Sequence, residues 1–324
     1  MVKEKILSLL KKKNKEYVSG ESLAKKLGIS RTAVWKNIKA LKKEGYKVAA
    51  KPRVGYRLIG KPDLLSTLEI KDGLKTRIFG CKVFCFKELS STQEVAKKLA
   101  AQGCAEGTVV VAEKQTKGRG RIGREWVSPM GGAWLSIVLR PEIPPQHSQR
   151  ITLVTGVAVA KTIRKLYGLD AKIKWPNDVL VNGYKVCGIL VEASGEADRI
   201  NYMVVGVGVN LNVDFAKVNP SLVGTAVSIS QILGKKVSRV EFIREFLVEM
   251  EKLYILFSRS KFNQILVEWK NLSETLGCKV KVISQKEAFV GKALDVDEDG
   301  FLLVRVEDGT VRKIVAGDVS IRRE

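Results

Sequence analysis

The chain has 324 residues and a mass of 35.8 kDa, enough for two or three domains with buried cores, and its 45% hydrophobic content is that of a soluble globular protein. The formal net charge is +23, and residues 1–60 hold 17 Lys/Arg against 4 Asp/Glu; this +13 argues for a polyanion partner at the N-terminal fifth, the alternative being a merely solubilising or heat-adapted surface. No apolar run approaches the roughly 20 residues that span a bilayer, and MVKEKILSLLKKKN turns basic where a secretory signal would offer a cleavage site, so a cytoplasmic protein without membrane association is expected.

The five cysteines show neither C-x-x-C nor paired metal spacing, which suits reduced core thiols. His147 is the single histidine, so a histidine zinc site or a Ser-His-Asp triad is not expected and no metal ligands are assigned. Catalysis would fall to Arg, Lys, Asp and the backbone.

In chain order, Val2, Ile6, Leu9 and Leu10 fall at helical spacing, ESLAKKL makes a second helix closed by Gly28, and Ser30 caps a third over RTAVWKNIKALKKEG. Helix, three-residue turn, helix, then two short strands in YKVAAKPRVGYRLI predict a winged helix-turn-helix over residues 1–60. The third helix presents Arg31, Thr32, Trp35, Lys36 and Lys39, placed where a recognition helix meets the base edges of DNA, and Lys51 and Arg53 in the wing suit phosphates. A solvated helix face or a protein-docking module is the alternative. Residues 61–76 read as a linker.

From residue 77 apolar runs alternate with helical patterns. Strand candidates are 77–89, TVVVAEKQ, AWLSIVLRP, IKW, the hairpin VLVNGYKVCGILVEA turning at Asn182-Gly183, and YMVVGVGVNLN; helices are expected over 91–103, 148–168, 239–258 and 261–276. This predicts an α+β domain over 77–277 with a largely antiparallel sheet. Within it KGRGRIGREW contains a literal G-x-G-x-x-G at Gly118, Gly120 and Gly123. A dinucleotide fingerprint needs a helix opening on those glycines, whereas Pro129, Gly131 and Gly132 follow; neither a P-loop nor K-x-D-G is present. What remains is a glycine-spaced loop bearing Arg119, Arg121 and Arg124, suited to close over a carboxylate or phosphate, or to bind single-stranded nucleic acid as RGG-like loops do.

GRGRIGREW, then KWPNDVLVNGYKVCGILVE (Lys174 to Glu192), then GVGVNLN (Gly206 to Asn212), resembles the biotin protein ligase family. With a winged helix in front, the chain resembles that family's bifunctional members, ligase and biotin operon repressor in one, over essentially its whole length. The resemblance implies an α+β multidomain fold: winged helix-turn-helix, a central mixed α/β catalytic domain of class II aminoacyl-tRNA synthetase/biotin ligase type, and an SH3-like barrel over 278–324, where apolar and polar residues alternate around Asp299-Gly300 and Asp308-Gly309. It implies that biotin and ATP give biotinyl-5′-AMP, with Mg2+ expected from the ATP chemistry. Biotin then passes to a lysine of a biotin carboxyl carrier protein, and the adenylate-bound protein is expected to form a homodimer on operator DNA.

Carried onto this sequence, the resemblance assigns Ser91, Thr92, Gln93 and Gln115 to biotin's ureido side, and Gly118, Arg119, Gly120 and Arg121 to a loop over carboxylate and phosphate. Arg119 and Lys185 would offset charge building on phosphorus, and Asp178 would receive the incoming lysine. Gly188, Gly206 and Gly208 would let the sheet approach biotin, while Arg121, Arg124, Trp126, Asn177 and Asn210 would face the nucleotide, with Asp318 and Arg322 near its edge. Local alternatives stand beside these roles. Ser91 with Glu94 forms a capping box, Lys185 is a solvated hairpin lysine, Asn177-Asp178 is turn chemistry, Trp126 is core, and the strand glycines are bulges. Glu125 departs from relatives that are basic there. The rival activities are a lipoate ligase or octanoyl transferase, and a biotin-sensing transcription factor that does not ligate.

Overall fold

The computed structural model describes residues 2–13, 16–196, 198–283, 287–315 and 317–321. The chain forms two compact units, Met1–Leu64 and Leu65–Glu324.

In the first unit α1 (Val2–Lys12), α2 (Gly20–Leu27) and α3 (Arg31–Lys43) bury Ile6, Leu7, Leu10, Leu23, Val34, Ile38 and Leu41. The Ser19 hydroxyl accepts the Ser22 N–H at 3.0 Å and the Ser30 hydroxyl accepts the Ala33 N–H at 3.1 Å, which satisfies donors that a helix start leaves free. Gly28 closes α2 at φ 64° and turns the chain into α3. Antiparallel strands β1 (Lys47–Lys51) and β2 (Gly55–Gly60) form the wing, and Val18 bridges to Tyr56 beside them.

The second unit opens with α4 (Thr67–Lys71), inside the stretch read as linker. Its Glu69 and Ile70 are buried, and the Leu65 N–H donates to Glu113 Oε1 at 2.8 Å, so apolar residues at 65 and 70 draw this stretch into the core. There follow β3 (Val83–Leu89), α5 (Thr92–Ala101), β4 (Val109–Gln115), β5 (Ala133–Leu139), α6 (Ser148–Tyr167), β6 (Ala171–Lys174), β7 (Asp178–Val181), β8 (Tyr184–Gly195) and β9 (Ile200–Val209). The remaining helices are α7 (Phe215–Val218), α8 (Ile229–Leu233), α9 (Arg239–Ser258) and α10 (Phe262–Asn271).

The strands make a seven-stranded sheet of order β3-β4-β5-β9-β8-β7-β6, antiparallel except for β3–β4. Alternation decides its two faces. Val109 and Val111 enter the large core with α6, α9 and α10, while Val110 between them packs under α5 with Ala96 and Ala100. The β7–β8 hairpin turns at Asn182 (φ 52°) and Gly183 (φ 79°), the paired positive φ of a type I′ turn.

Two boundaries differ from the sequence expectation. Strand β3 starts at Val83 rather than residue 77, because Glu251 accepts the N–H groups of Arg77, Ile78 and Phe79 at 2.7, 2.6 and 2.8 Å. Helix α10 stops at Asn271, because residues 272–274 bond to both sides of Ile173 and cover the β6 edge.

The C-terminal part is the SH3-like domain: β10 (Lys279–Ile283), β11 (Ala288–Val296), β12 (Leu302–Val306), β13 (Val311–Ile314) and β14 (Asp318–Ile321), a five-stranded antiparallel sheet ordered β13-β12-β11-β10-β14. It is fastened to the preceding α+β part by Trp175 Nε1 donating to the Gly300 carbonyl (3.0 Å) and by Arg150 on Asp299 (2.9 Å). Among the described residues, no helix is long and apolar enough to cross a membrane.

One buried ion pair ties α9 to β4: Arg239 Nη1 lies 2.6 Å from Glu113 Oε2, both side chains 5% exposed. We expect Arg239→Ala to strand the carboxylate and lower unfolding stability by about 3–5 kcal/mol in urea titrations, far more than an apolar replacement of both partners; equal losses would contradict this.

Candidate active site

Strands β8 and β9 pair Gly188 with Gly208 and Leu190 with Gly206 on the face that carries α5. The missing side chains make room for others. A Cβ on Gly208 would lie 2.4 Å from Trp126 Nε1, one on Gly188 2.8 Å from the same indole, and one on Gly206 2.6 Å from Gln93 Oε1. These glycines therefore admit Trp126 and Gln93, not open space. Trp126 meets Trp134 edge-on at 6.5 Å, and Lys185 Nζ stands 5.1 Å over the Trp126 ring.

The arginine loop is a short hairpin, not a helix start. Trp126 N–H donates to the Gly118 carbonyl (2.9 Å) and Gly120 N–H to the Arg124 carbonyl (2.7 Å), leaving Arg121–Gly123 as a single 3₁₀ turn at the tip. Gly118 is required by close approach, since a Cβ there would lie 2.2 Å from the Trp126 carbonyl oxygen. At the tip Ile122 has φ 54°, a left-handed conformation costly for a β-branched residue, and its side chain is 63% exposed.

Each loop arginine rests on an acceptor. Arg119 Nη2 lies 3.4 Å from Glu192, Arg121 donates to Asn177 Oδ1 (3.1 Å) and the Gly317 carbonyl (3.3 Å), and Arg124 pairs with Asp318. Burial pulls the Arg121 pKa down from its ordinary value, against the pull of Asp318 and Asp178. Lys185 Nζ lies 2.6 Å from Asp178 Oδ1 without a well-directed hydrogen bond. Beneath the pair, burial pushes the Cys187 thiol far above its usual range, so it stays neutral.

Ser91, Thr92, Gln93 and Gln115 converge where α5 begins. The capping box expected of Ser91 and Glu94 is absent: Ser90 takes Glu94 (2.8 Å), and the Ser91 hydroxyl is buried with no partner. Gln115 Oε1 accepts from Thr92 N–H (2.7 Å) and hydroxyl (3.0 Å) while its Nε2 donates to Ser128 (2.8 Å), so it positions the helix start. Asn177 is likewise engaged at both ends, its Nδ2 donating to the Ile189 carbonyl at 3.0 Å. Besides Ser91, the Trp126 indole N–H, Asn210 Oδ1 and Glu192 Oε2 are buried without hydrogen-bond partners among the described residues. Ser91, Trp126 and Asn210 line one cleft, and orphaned polar atoms gathered there ask for a ligand, whereas Glu192 lies behind its lining.

Two adjoining cavities meet at Trp126, Lys185 and Glu125, one of about 140 Å³ and one of about 210 Å³. The first holds the α5 start, the strand glycines, Arg119, Gly120, Arg121, Arg124, Asn177 and Asp178, with Asp318 at its rim. The second holds Asn210 with Phe215, Leu222, Thr225 and Ala226. Sequence reading passed over this last segment; its signal was Phe215, Val218, Leu222 and Val223, apolar residues set in an irregular loop. Gly118 lines neither cavity and serves the hairpin. Ser136 of β5, whose hydroxyl is hydrogen-bonded to the Thr92 hydroxyl (2.9 Å) and Gln93 Oε1 (3.1 Å) at the α5 start, was also missed. Arg322 lies outside the described residues. Among the described residues, no three His, Cys, Asp or Glu gather to hold a metal ion.

In the N-terminal unit, Arg31, Thr32 and Trp35 of α3 line one groove with Lys51 and Arg53 of the wing. Trp35 is 51% exposed with Lys39 Nζ 5.2 Å above its ring, Lys36 is also exposed, and Arg53 holds φ 63° at the wing turn.

Residues 85–210 match the model of the biotin/lipoate A/B protein ligase family, residues 2–57 a helix-turn-helix (HTH) domain, and residues 275–322 the biotin protein ligase C terminal domain. The chain is 40% identical to the Bifunctional ligase/repressor BirA of Bacillus subtilis, over 99% of this chain and 98% of that one. It is 31% identical to the protein of the same name from Escherichia coli, over 98% and 96%. It also superposes on a biotin protein ligase from Aquifex aeolicus, solved in complex with biotin and ATP, with a TM-score of 0.65 and 29% identity, covering 75% of this chain and all of that one.

Gly208→Ala is expected to lift the Trp126 indole off the sheet and raise its accessibility to acrylamide quenching, read in a variant whose other tryptophans are replaced by phenylalanine. Unchanged quenching would mean that the indole does not depend on the glycine pair.

Proposed function

This chain belongs to the biotin protein ligase family, and on that premise we propose how its cleft performs the reaction and how its N-terminal unit answers. The protein activates biotin with ATP to biotinyl-5′-AMP and transfers biotin to a lysine of a biotin carboxyl carrier protein; it is also a biotin-responsive repressor. The observation that carries the assignment of parts is the meeting of unpartnered Ser91, Trp126 and Asn210 atoms with Lys185 and the loop arginines at one two-part cleft.

Biotin occupies the first cavity. Its ureido group reaches the Ser91 hydroxyl and the α5 start, whose amide dipoles favour a polar oxygen. Its carboxylate points to Arg119 and Lys185. The nucleotide runs past Arg121, Arg124 and Asn177, and adenine enters the second cavity, where Asn210 Oδ1 can accept its amino group between Trp126 and Phe215. Mg2+, where bound with ATP, would supply neutralisation of phosphate charge. Asp178 and Asp318 are each paired with a cation, and among the described residues no three His, Cys, Asp or Glu gather to hold a metal ion.

In the first step a biotin carboxylate oxygen attacks the α-phosphorus, forming the O–P bond as pyrophosphate leaves. The attacking group is already an anion, so no base is needed, which suits a cleft without histidine. Lys185 and Arg119 offset the charge that builds on the phosphoryl oxygens. When Lys185 turns to phosphate it releases Asp178, which can then take the proton of the carrier lysine. That amine attacks the acyl carbon, the C–N bond forms, and AMP departs.

The repressor half uses the α3–wing groove on operator DNA. Closing the arginine loop over the adenylate favours a homodimer that presents two recognition helices to a two-fold site, in a cytoplasmic setting. Biotin plus ATP should therefore promote dimers and operator binding together, the latter falling steeply with salt. Gel shifts with a biotin-biosynthesis promoter that stay negative at low salt with the adenylate present would overturn this half alone.

Lys185→Ala should slow biotin-dependent ATP–pyrophosphate exchange by about 10²–10³-fold while weakening biotin binding less. A mutant with normal exchange would return Lys185 to the role of a solvated hairpin lysine.

A further inference from the structure

Behind the lining of the anion-binding cleft, one carboxylate, Glu192, reaches the loop arginine Arg119 that does line it. Glu192 follows Gly188 and Leu190 along the same face of β8 and sits opposite Val204 on β9. Its side chain is 22% exposed. Oε1 is 3.4 Å from Arg119 Nη2 and 3.1 Å from Lys97 Nζ of α5, while Oε2 is buried with no hydrogen-bond partner among the described residues. One carboxylate therefore serves two cations from two elements, the arginine of the ligand loop and the lysine of the helix whose first residues line the same cavity.

This arrangement works as an exchange. An ionised carboxylate accepts only, and an Arg fork suits either a protein carboxylate or the carboxylate and phosphate of a ligand. If Arg119 turned to a ligand and left Glu192 alone, a poorly solvated charge would be stranded, at a cost that would oppose binding. Lys97 removes that cost, because it stays on Oε1 when Arg119 leaves. Resting on the ligase reading above, we propose that Glu192 is a positioning residue: a placeholder anion that holds Arg119 at the cleft wall and yields it to the biotinyl adenylate, with Lys97 as the reserve cation.

The two partners should then act in opposite directions on anionic ligands and not at all on neutral ones, which a merely structural role would not produce. The experiment measures, by calorimetry on the full chain, the affinity of a hydrolysis-resistant biotinyl-5′-AMP analogue that keeps its phosphate charge, and of uncharged biotin amide. Glu192→Gln should tighten the anionic analogue by about fivefold and leave the amide unchanged, whereas Lys97→Gln should weaken the analogue by a similar factor. If Glu192→Gln does not fold, the Lys97 variant decides alone. Unchanged or weaker analogue binding in Glu192→Gln, equal shifts for both ligands, or unaltered binding in Lys97→Gln would overturn the placeholder. If the unmodified chain binds neither ligand, the biotin reading itself fails and the placeholder falls with it.

Discussion

The site depends on the contact between one indole and two absent side chains. Gly188 and Gly208 face each other across β8 and β9, and Trp126 lies in the space their Cβ atoms would fill. Because Trp126 ends the arginine hairpin, its seat on the sheet sets where that hairpin springs from. Because Lys185 stands over the same ring, the seat also holds the ammonium at the boundary between the two cavities. The sheet is rigid, packed on its far face against α6 and α9, so the loop inherits a fixed base while its tip stays exposed. A ligand with two unlike halves then finds a polar helix start on one side of Trp126 and an apolar, irregular segment on the other.

Electrostatics follow from the same geometry. Three loop arginines crowd one cleft, yet each is met by an acceptor from a different part of the fold: Glu192 from β8, Asn177 from the turn before β7, and Asp318 from the C-terminal domain. The C-terminal domain thereby becomes part of the site through Gly317 and Asp318, a connection that its small size and distant place in sequence do not announce. Without such acceptors the arginines would repel one another. With them, the loop is held in place by contacts weak enough to be traded.

What was legible in the sequence is what repeats or punctuates. Helical periodicity and the Ser30 cap marked the winged unit, alternation and Asn182-Gly183 marked the hairpin, and the three motifs in order marked the catalytic part. What was not legible depends on choices between near-equal local partners or on distant contacts. Ser90 and Ser91 both stand near Glu94 in sequence, and only the fold shows that Ser90 takes the glutamate and leaves Ser91 free. The helix at 67–71 is too short to register against a polar, proline-containing stretch, and is secured by burial of Ile70 and by Glu113 from β4. The strand glycines read as places for a ligand to approach, whereas two of them admit Trp126; glycine signals a close approach without saying by what. The segment around Phe215 lacks any period, so only its position beside Asn210 reveals it.

A cleft of this kind faces a constraint that a histidine-based site does not. With no imidazole in the cleft, its lysine, arginines and carboxylates answer a ligand by exchanging partners. Moving a charge in a half-buried cleft is tolerable only when its former partner is not abandoned. The structure meets this condition differently at each pair. Arg124 and Asp318 lie at the exposed rim, where water can replace a lost partner. Asp178, 16% exposed, is the base of the second step in the mechanism proposed above, where its freed charge is used. Glu192 has Lys97. On the proposed mechanism, binding a polyanion at these ion pairs substitutes one acceptor for another at nearly constant charge count.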